Sequence, residues 1–404
     1  MGSSTSSPGL LLNRVLLYSV LCDEYNDSLS GLHGAFSKKG ACMTSTMLTA
    51  MFYGPMDVRM EHMPVPRAGP GEVLLQVAAA TTCGTDVKTY RRGHPLLFQQ
   101  TPAGFGHEVA GLVADVGSDV TRCHVGDAVV VANSAPCQSC FYCRRGRLSL
   151  CENLQFLNGA YAEYLLVPER IVRQNLYHLP PGTSFAAAAL TEPLACALHG
   201  VDASEIRQDD TVVILGSGPL GLLLAAIAKL RVSRVIITGR GEQRLALAHH
   251  LGVDEIIDVQ AMSLQEQYTA IRNATDAQRG ADVVIEAVGT PETWTLATRL
   301  ARPGGLVNFF GGCPSGTTVT LEAHPLHYSE LTIKGVFHHT PAYFAQALEL
   351  IINHQIDVEA LITAYMPLES TLEVFDLLLH KQGVKYALIP PAFQKDHALQ
   401  EAGN

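Results

Sequence analysis

The sequence predicts an α/β protein of two domains, one β-rich and one a doubly wound parallel sheet, and three observations lead there. At 404 residues the chain exceeds the size at which a single hydrophobic core usually keeps growing. From about Met47 to Pro193, short β-like runs alternate with Gly/Pro turns. From Thr211 onward, strand-like runs alternate instead with helix-length apolar segments, the pattern of a parallel sheet covered on both faces.

The strands of the first domain are read in "EVLLQVAAA", "HEVAGLVADVG", "GDAVVVA" and "AEYLLVP". An apolar, Ala-rich stretch follows. The second domain is carried by "TVVILG", "RVIITG", "ADVVIEAVG", "LVNFFGG" and "LTIKGVF", with helices such as "PLGLLLAAIAKL" and "GEQRLALAHHLG" between them. After about Phe337 come two amphipathic helical stretches, "PAYFAQALELIINHQ" and "LESTLEVFDLLLHK", and a final strand, "KYALIP". These are too few to form a domain and are expected to return to the first one. The expected boundaries are therefore 47–198 with 338–404 for the β-rich domain and 199–337 for the parallel sheet, the last dozen residues forming a loose tail.

Residues 1–46 read differently, opening "MGSSTSSPG" and continuing "LLLNRVLLYSVLC". A signal peptide is one reading of that Leu-rich run. No basic residue precedes it, however, Arg14 interrupts it, and no A-x-A-like site follows. The preferred reading is a disordered upstream extension, with Met43, Met47 or Met51 opening the folded part.

Apolar residues make up 47% of the chain, which suits a compact fold, and the net charge of −10 argues against nonspecific binding to nucleic acid or an anionic membrane. No apolar run reaches the roughly 20 residues of a membrane span, so a soluble protein is expected. Half of the ten cysteines sit where metal chemistry explains them better than disulfides do, which points to the reducing cytoplasm.

"VVILGSGPLG" runs a buried strand into Gly216, Gly218 and Gly221, followed by a helix beginning near Pro219 and Leu220. In this G-x-G-x-x-G spacing the first glycine permits a tight turn, the second lets a pyrophosphate approach, and the third lets helix and strand pack closely. The helix N-terminus then faces the phosphates. A dinucleotide site is expected. The second strand ends "VIITGRGEQR", and where an acid would bind the ribose 2′-hydroxyl of NAD there is Gly239, followed by Arg240 and, one turn on, Arg244. Loss of the carboxylate removes repulsion against a 2′-phosphate, and a guanidinium can bind it bidentately. NADP is favoured over NAD, the alternative being that both arginines are solvated surface residues.

"CQSCFYCRRGRLSLC" supplies Cys137, Cys140, Cys143 and Cys151, enough thiolates in one loop to close a tetrahedron around a structural zinc ion. An iron–sulfur cluster is the competing reading, but ferredoxin spacing ends C-x3-C-P, whereas here seven residues intervene and Glu152 follows. Cys83 in "TTCGTDVKTY", His107 and Glu108 in "TPAGFGHEVAG", and Glu192 in "LTEPLACALHG" are the donor types of an open catalytic zinc site. Each also has a plain reading: a small buried cysteine, a satisfied core histidine, a solvated strand glutamate, and an acid favoured at a helix start. Spacing alone leaves both open.

Taken together these motifs are similar to those of a known family. From about Met47 to Pro390 the chain resembles the zinc-containing medium-chain dehydrogenases/reductases, and among them the polyol branch of sorbitol and threonine dehydrogenases. The resemblance rests on "CGTD" at 83–86, "GHE" at 106–108, "VGDAVVV" at 125–131, the four-cysteine lobe, "EPLACALHG" at 192–200 and "GSGPLG" at 216–221. It implies a GroES-like catalytic domain interrupted by a Rossmann domain, with the active cleft between them. It also implies Cys83, His107 and Glu108 as catalytic zinc ligands, with Glu192 binding the metal or holding its water. Thr85 would relay the substrate proton and Asp86 would orient it. A homodimer or homotetramer is implied as well. Two departures stand out: Gly239 replaces the acidic cofactor residue, and Lys88 or Thr89 stands where some relatives have a relay histidine.

The expected activity is hydride transfer between an alcohol (a polyol, cyclitol, amino-cyclitol or secondary alcohol) and NADP or NAD, with zinc as Lewis acid. The alternatives are oxidation of a β-hydroxy amino acid, a metal-free reductase on the same scaffold, and a non-enzymatic nucleotide-binding protein.

Overall fold

The computed structural model describes residues 45–94, 97, 98, 100–232 and 234–395. The expectation for the N-terminal extension lies outside them except at its last two residues, and Thr46 already opens the first strand, Thr46–Gly54. No helix among the described residues is long and apolar enough to cross a membrane.

The β-rich part is built on Val73–Thr81, which is buried along almost its whole length because it lies at the centre of a sheet. In order, that sheet contains Leu176–His178, Ala128–Val131, Glu108–Val116, Val73–Thr81, Lys385–Ile389 and Ile362–Pro367, and Tyr164–Val167 also pairs with Val73–Thr81. The last two strands of the chain return to this sheet, whereas the helix Pro341–Ile352 packs in a cluster shared with the parallel-sheet part. Ala387 pairs with Thr81 and Leu388 with Ala80 in antiparallel register, so the end of the chain lies beside the strand that precedes Cys83. The return also includes a strand that the sequence pattern did not mark. Ile362–Pro367 is half-buried at nearly every position, so it lacks the alternation by which strands are recognised. The expected loose tail is corrected in its first residues. Phe393 packs edge-on against Phe185 with ring centroids 6.1 Å apart, while residues 396–404 lie outside the description.

The second part is a six-stranded sheet, every neighbouring pair parallel. Its strands, in chain order, are β1 (Thr211–Leu215), β2 (Arg234–Gly239), β3 (Glu255–Asp258), β4 (Ala281–Glu286), β5 (Ala301–Phe309) and β6 (Thr332–Gly335). Their spatial order is β3-β2-β1-β4-β5-β6, the dinucleotide-binding order with its reversal next to β1. Five of the six were legible. The one missed, β3, is a short edge strand with exposed ends.

The expected boundary between residues 198 and 199 falls inside the helix Thr191–Ala203, which is continuous across it. One apolar cluster explains why no break occurs there. It runs from Ala110 and Val130 through Leu194 and Leu198 to Val212, Leu224 and Phe344, so the helix belongs to the cores of both parts.

A second cluster packs around the segment that leads to His107. Phe105 stacks on Phe52 at 5.4 Å and meets Tyr161 edge-on at 5.8 Å. Phe105 is fully buried two residues before His107. Phe105→Ala is expected to cost about 3–5 kcal/mol in denaturant unfolding, the usual penalty for emptying an aromatic core position.

Candidate active site

The chain enters the site at Gly106, whose φ of +87° suits glycine and whose missing side chain leaves room for the Tyr161 ring. A Cβ there would stand 2.7 Å from ring atoms. Immediately beyond, His107 and Glu108 are both buried, at 6% and 0% exposure. A buried carboxylate and imidazole need partners, and each residue finds a different set. His107 Nδ1 lies 2.9 Å from Asp86 Oδ1, which leaves Nε2 for other contacts. Glu108 accepts from Lys385 Nζ at 2.7 and 2.9 Å and from the Thr81 hydroxyl, its register partner on the adjacent strand.

Cys83 is fixed by local geometry. It caps the helix Gly84–Arg92, its sulfur accepting from Thr85 N at 3.4 Å while Asp86 accepts from the Cys83 N–H at 3.2 Å. The Asp86 carboxylate, placed beside Thr85 by the sequence reading, therefore bonds the Cys83 backbone and His107, with the Tyr161 hydroxyl as a further donor. Donor atoms of Cys83, His107 and Glu108 all lie within 4.8 Å of one another. Burial opposes charge on His107, but Asp86 and the Cys83 sulfur outweigh it and hold its pKa well above the ordinary imidazole value. The pocket thus draws positive charge towards a sulfur, a nitrogen and an oxygen, and that donor set suits zinc.

Glu192 gathers with a different pair, His338 and His339, again within 4.8 Å. It is buried at the start of its helix, where Asn133 Nδ2 donates to Oε1 at 2.9 Å and the Cys196 thiol lies 3.6 Å away. Burial raises its pKa to about 7, with the charge on His107 opposing the rise.

The sulfurs of Cys137, Cys140, Cys143 and Cys151 also lie within 4.8 Å of one another. Backbone N–H groups of Cys137, Cys140, Cys143 and Asn153 point at these sulfurs, at 3.1–3.5 Å. Hydrogen bonds from the Ser139 backbone and hydroxyl lower the Cys137 thiol to about 6, whereas burial and the neighbouring thiols push Cys143 up to about 12. Such a cluster disfavours four bare thiolates and suits a dication that neutralises them.

In the glycine-rich turn, Gly216 has φ +111°, and a Cβ on Gly221 would stand 1.8 Å from Gly216 O. Gly218 caps the helix Pro219–Lys229. A Cβ on Gly239 would meet Ser217 Oγ at 1.9 Å and Ser217 Cβ at 2.3 Å, so the buried serine occupies the space an acidic side chain would need. Arg240 is exposed, whereas Arg244 is half-buried and donates to Gly383 O at 3.1 Å. One cleft of about 1910 Å³ is lined by Cys83, Thr85, His107 and Glu192, by Gly216, Gly218, Pro219 and Leu220, and by Gly239, Arg240 and Arg244.

Sequence reasoning missed Lys385, Tyr161, Asn133, Ser217 and the two adjacent histidines. Lys385 alone carried a usable signal. A lysine opening the apolar run "KYALIP" is almost never buried without a partner.

Residues 69–180 match the alcohol dehydrogenase GroES-like domain family and residues 219–353 the zinc-binding dehydrogenase family. The sorbitol dehydrogenase of Bacillus subtilis is 30% identical over 82% of this chain and 94% of its own length. D-xylulose reductase A of Aspergillus oryzae is 30% identical over 85% and 96%. Among solved structures, a zinc-binding dehydrogenase from Sinorhizobium meliloti bound to NADP superposes with a TM-score of 0.78 at 31% identity, over 86% of this chain and 100% of that one. This chain belongs to the zinc-containing alcohol dehydrogenase family, in its polyol branch. It is an NAD(P)-dependent oxidoreductase acting on alcohols.

The buried pair of Lys385 and Glu108 generates a prediction about stability. Lys385→Met strands a carboxylate in the interior and is expected to cost about 3–5 kcal/mol, whereas adding Glu108→Gln removes the stranded charge and recovers part of the loss. Urea unfolding of the single and double variants measures both.

Proposed function

We propose that the protein is a zinc-dependent polyol dehydrogenase that prefers NADP and holds two zinc ions per chain. The observation that carries this reading is the convergence of Cys83, His107 and the fully buried Glu108, the first two lining a cleft shared with the glycine-rich turn. Cys83, His107 and Glu108 are the ligands of the catalytic zinc, and Glu192 either completes the set or holds its water. Cys137, Cys140, Cys143 and Cys151 hold the structural ion. Relatives named for sorbitol and D-xylulose, and a structural neighbour named for 2R,3R-butanediol, support a substrate with vicinal hydroxyls.

When bound, the catalytic zinc supplies Lewis acidity that brings a substrate hydroxyl towards ionisation near neutral pH. Asp86 fixes the His107 ring through Nδ1, so that Nε2 is presented as the donor. Lys385 offsets the Glu108 charge, so the buried carboxylate adds no net negative charge to the site. Thr85, on the cleft wall, relays the hydroxyl proton, accepting it while giving up its own towards the solvent in the cleft. Gly216, Gly218 and Gly221 let the coenzyme pyrophosphate approach the start of the helix Pro219–Lys229. Around the ribose, the crowded Gly239 leaves no site for a carboxylate, and the exposed Arg240 is available to a 2′-phosphate.

Elemental analysis of the purified protein is expected to give two zinc ions per chain. Cys83→Ser is expected to lose one of them together with polyol oxidation, while a variant retaining near-normal turnover would refute the assignment. Arg240→Ala is expected to lower the ratio of kcat/KM for NADP to that for NAD by about 10–100-fold, the worth of one hydrogen bond to a charged group. Initial-rate kinetics with both coenzymes measure the change.

A further inference from the structure

Glu192, Asn133 and His339 form a hydrogen-bonded chain to which the reading above gives no role beyond Glu192. All three are buried, at 5%, 6% and 2% exposure, and they come from separate parts of the sequence. His339 Nε2 lies 2.9 Å from Asn133 Oδ1, and Asn133 Nδ2 donates to Glu192 Oε1 at 2.9 Å. An amide oxygen can only accept, so the imidazole nitrogen facing it carries the proton. His339 Nδ1 then holds the lone pair, and it has no partner.

The histidine is itself anchored independently of Glu192. Its neighbour His338 has φ +60°, and His338 Nε2 lies 2.7 Å from the Ser134 hydroxyl. The His338 carbonyl accepts from His199 Nδ1 at 2.7 Å, and the Phe344 ring lies 5.6 Å from His339. The imidazole is thus presented to Asn133 by a fixed turn.

An asparagine amide has two orientations that fill the same volume, and only one is compatible with a carboxylate on one side and an N–H on the other. Reversed, Oδ1 would face Glu192 oxygen to oxygen and Nδ2 would face Nε2–H. We propose that His339 is a positioning residue: its Nε2–H selects the Asn133 orientation that donates to Glu192, and so holds the Glu192 carboxylate in the rotamer that serves the catalytic centre. The proposal rests on the reading of Glu192 as part of that centre. The grouping of Glu192, His338 and His339 has the donor types of a metal site. The Nε2 atoms of both histidines are engaged, by Asn133 and Ser134, which leaves only their Nδ1 atoms for a metal, and the zinc count in the test below separates a metal site from the relay.

The test compares His339→Gln, whose amide nitrogen reaches towards the Nε2 position, with His339→Asn, whose amide nitrogen stops near the Nδ1 position. Asn133→Asp and Glu192→Gln are measured alongside, with zinc content and, in cobalt-substituted protein, the visible absorption of the metal. His339→Asn is expected to lower kcat by about 10–100-fold, the worth of a hydrogen bond to a charged group, with KM for NADP and zinc content unchanged. Asn133→Asp, which sets two carboxylates face to face, is expected to lose at least as much. His339→Gln should remain within about threefold of the parent, since the donor is kept. The cobalt spectrum should shift in His339→Asn and not in His339→Gln. Equal losses in both His339 variants would overturn the relay in favour of simple packing. An unchanged His339→Asn alongside an inactive Glu192→Gln would overturn it as well, whereas a fully active Glu192→Gln would remove the reading of Glu192 beneath it. A third zinc ion, bound by the parent and lost in His339→Asn, would replace the relay with a metal site.

Discussion

The pairing of Lys385 with Glu108 is the interaction on which the packing around Cys83 and His107 depends. Neither charge could be taken out of water alone, and each is almost completely shielded from solvent. Lys385 also donates to Thr82 O, so its ammonium closes onto the end of the strand that leads into Cys83. The lysine opens the last strand of the sheet, and the carboxylate opens the strand that follows His107. Completion of the sheet and neutralisation of the site are therefore one event. A chain that had not yet paired Ala387 with Thr81 would hold an uncompensated carboxylate beside Cys83 and His107.

The same logic joins the two parts of the molecule. The helix Thr191–Ala203 starts with a carboxylate on the cleft wall and ends packed over the parallel sheet. Its apolar residues lie in the cluster that contains the first strand of that sheet, the strand whose end turns into the glycine-rich loop. The position of Glu192 and that of the nucleotide turn are thus set by one continuous body of packed side chains, and close packing transmits a displacement at either end.

What was legible in the sequence was what is local. The four cysteines lie within one loop, the glycine-rich turn within six residues, and the capping of the helix at Cys83 within four, so spacing alone conveys their geometry. The parallel sheet was legible through its long buried strands and not through Glu255–Asp258, where four residues at an edge carry almost no hydrophobic signal. The supporting residues were illegible for a different reason. Lys385 acts across 277 positions, His339 across 206 and Tyr161 across 75, and no periodicity records a contact that only folding creates. Glu192 shows the difference within a single residue. Its donor type could be read from the chain, whereas its immediate company, Asn133 and the two histidines, could not.

The crowding between Ser217 and Gly239 also constrains how the nucleotide pocket can diverge. Ser217 Cβ, which no rotation can move aside, lies 2.3 Å from where any side chain at position 239 would begin. On this backbone, an acid at position 239 requires residue 217 to lose its side chain or the two segments to move apart. Steric exclusion at this pair of positions therefore acts on any acid at 239 before its affinity for a ribose can be expressed.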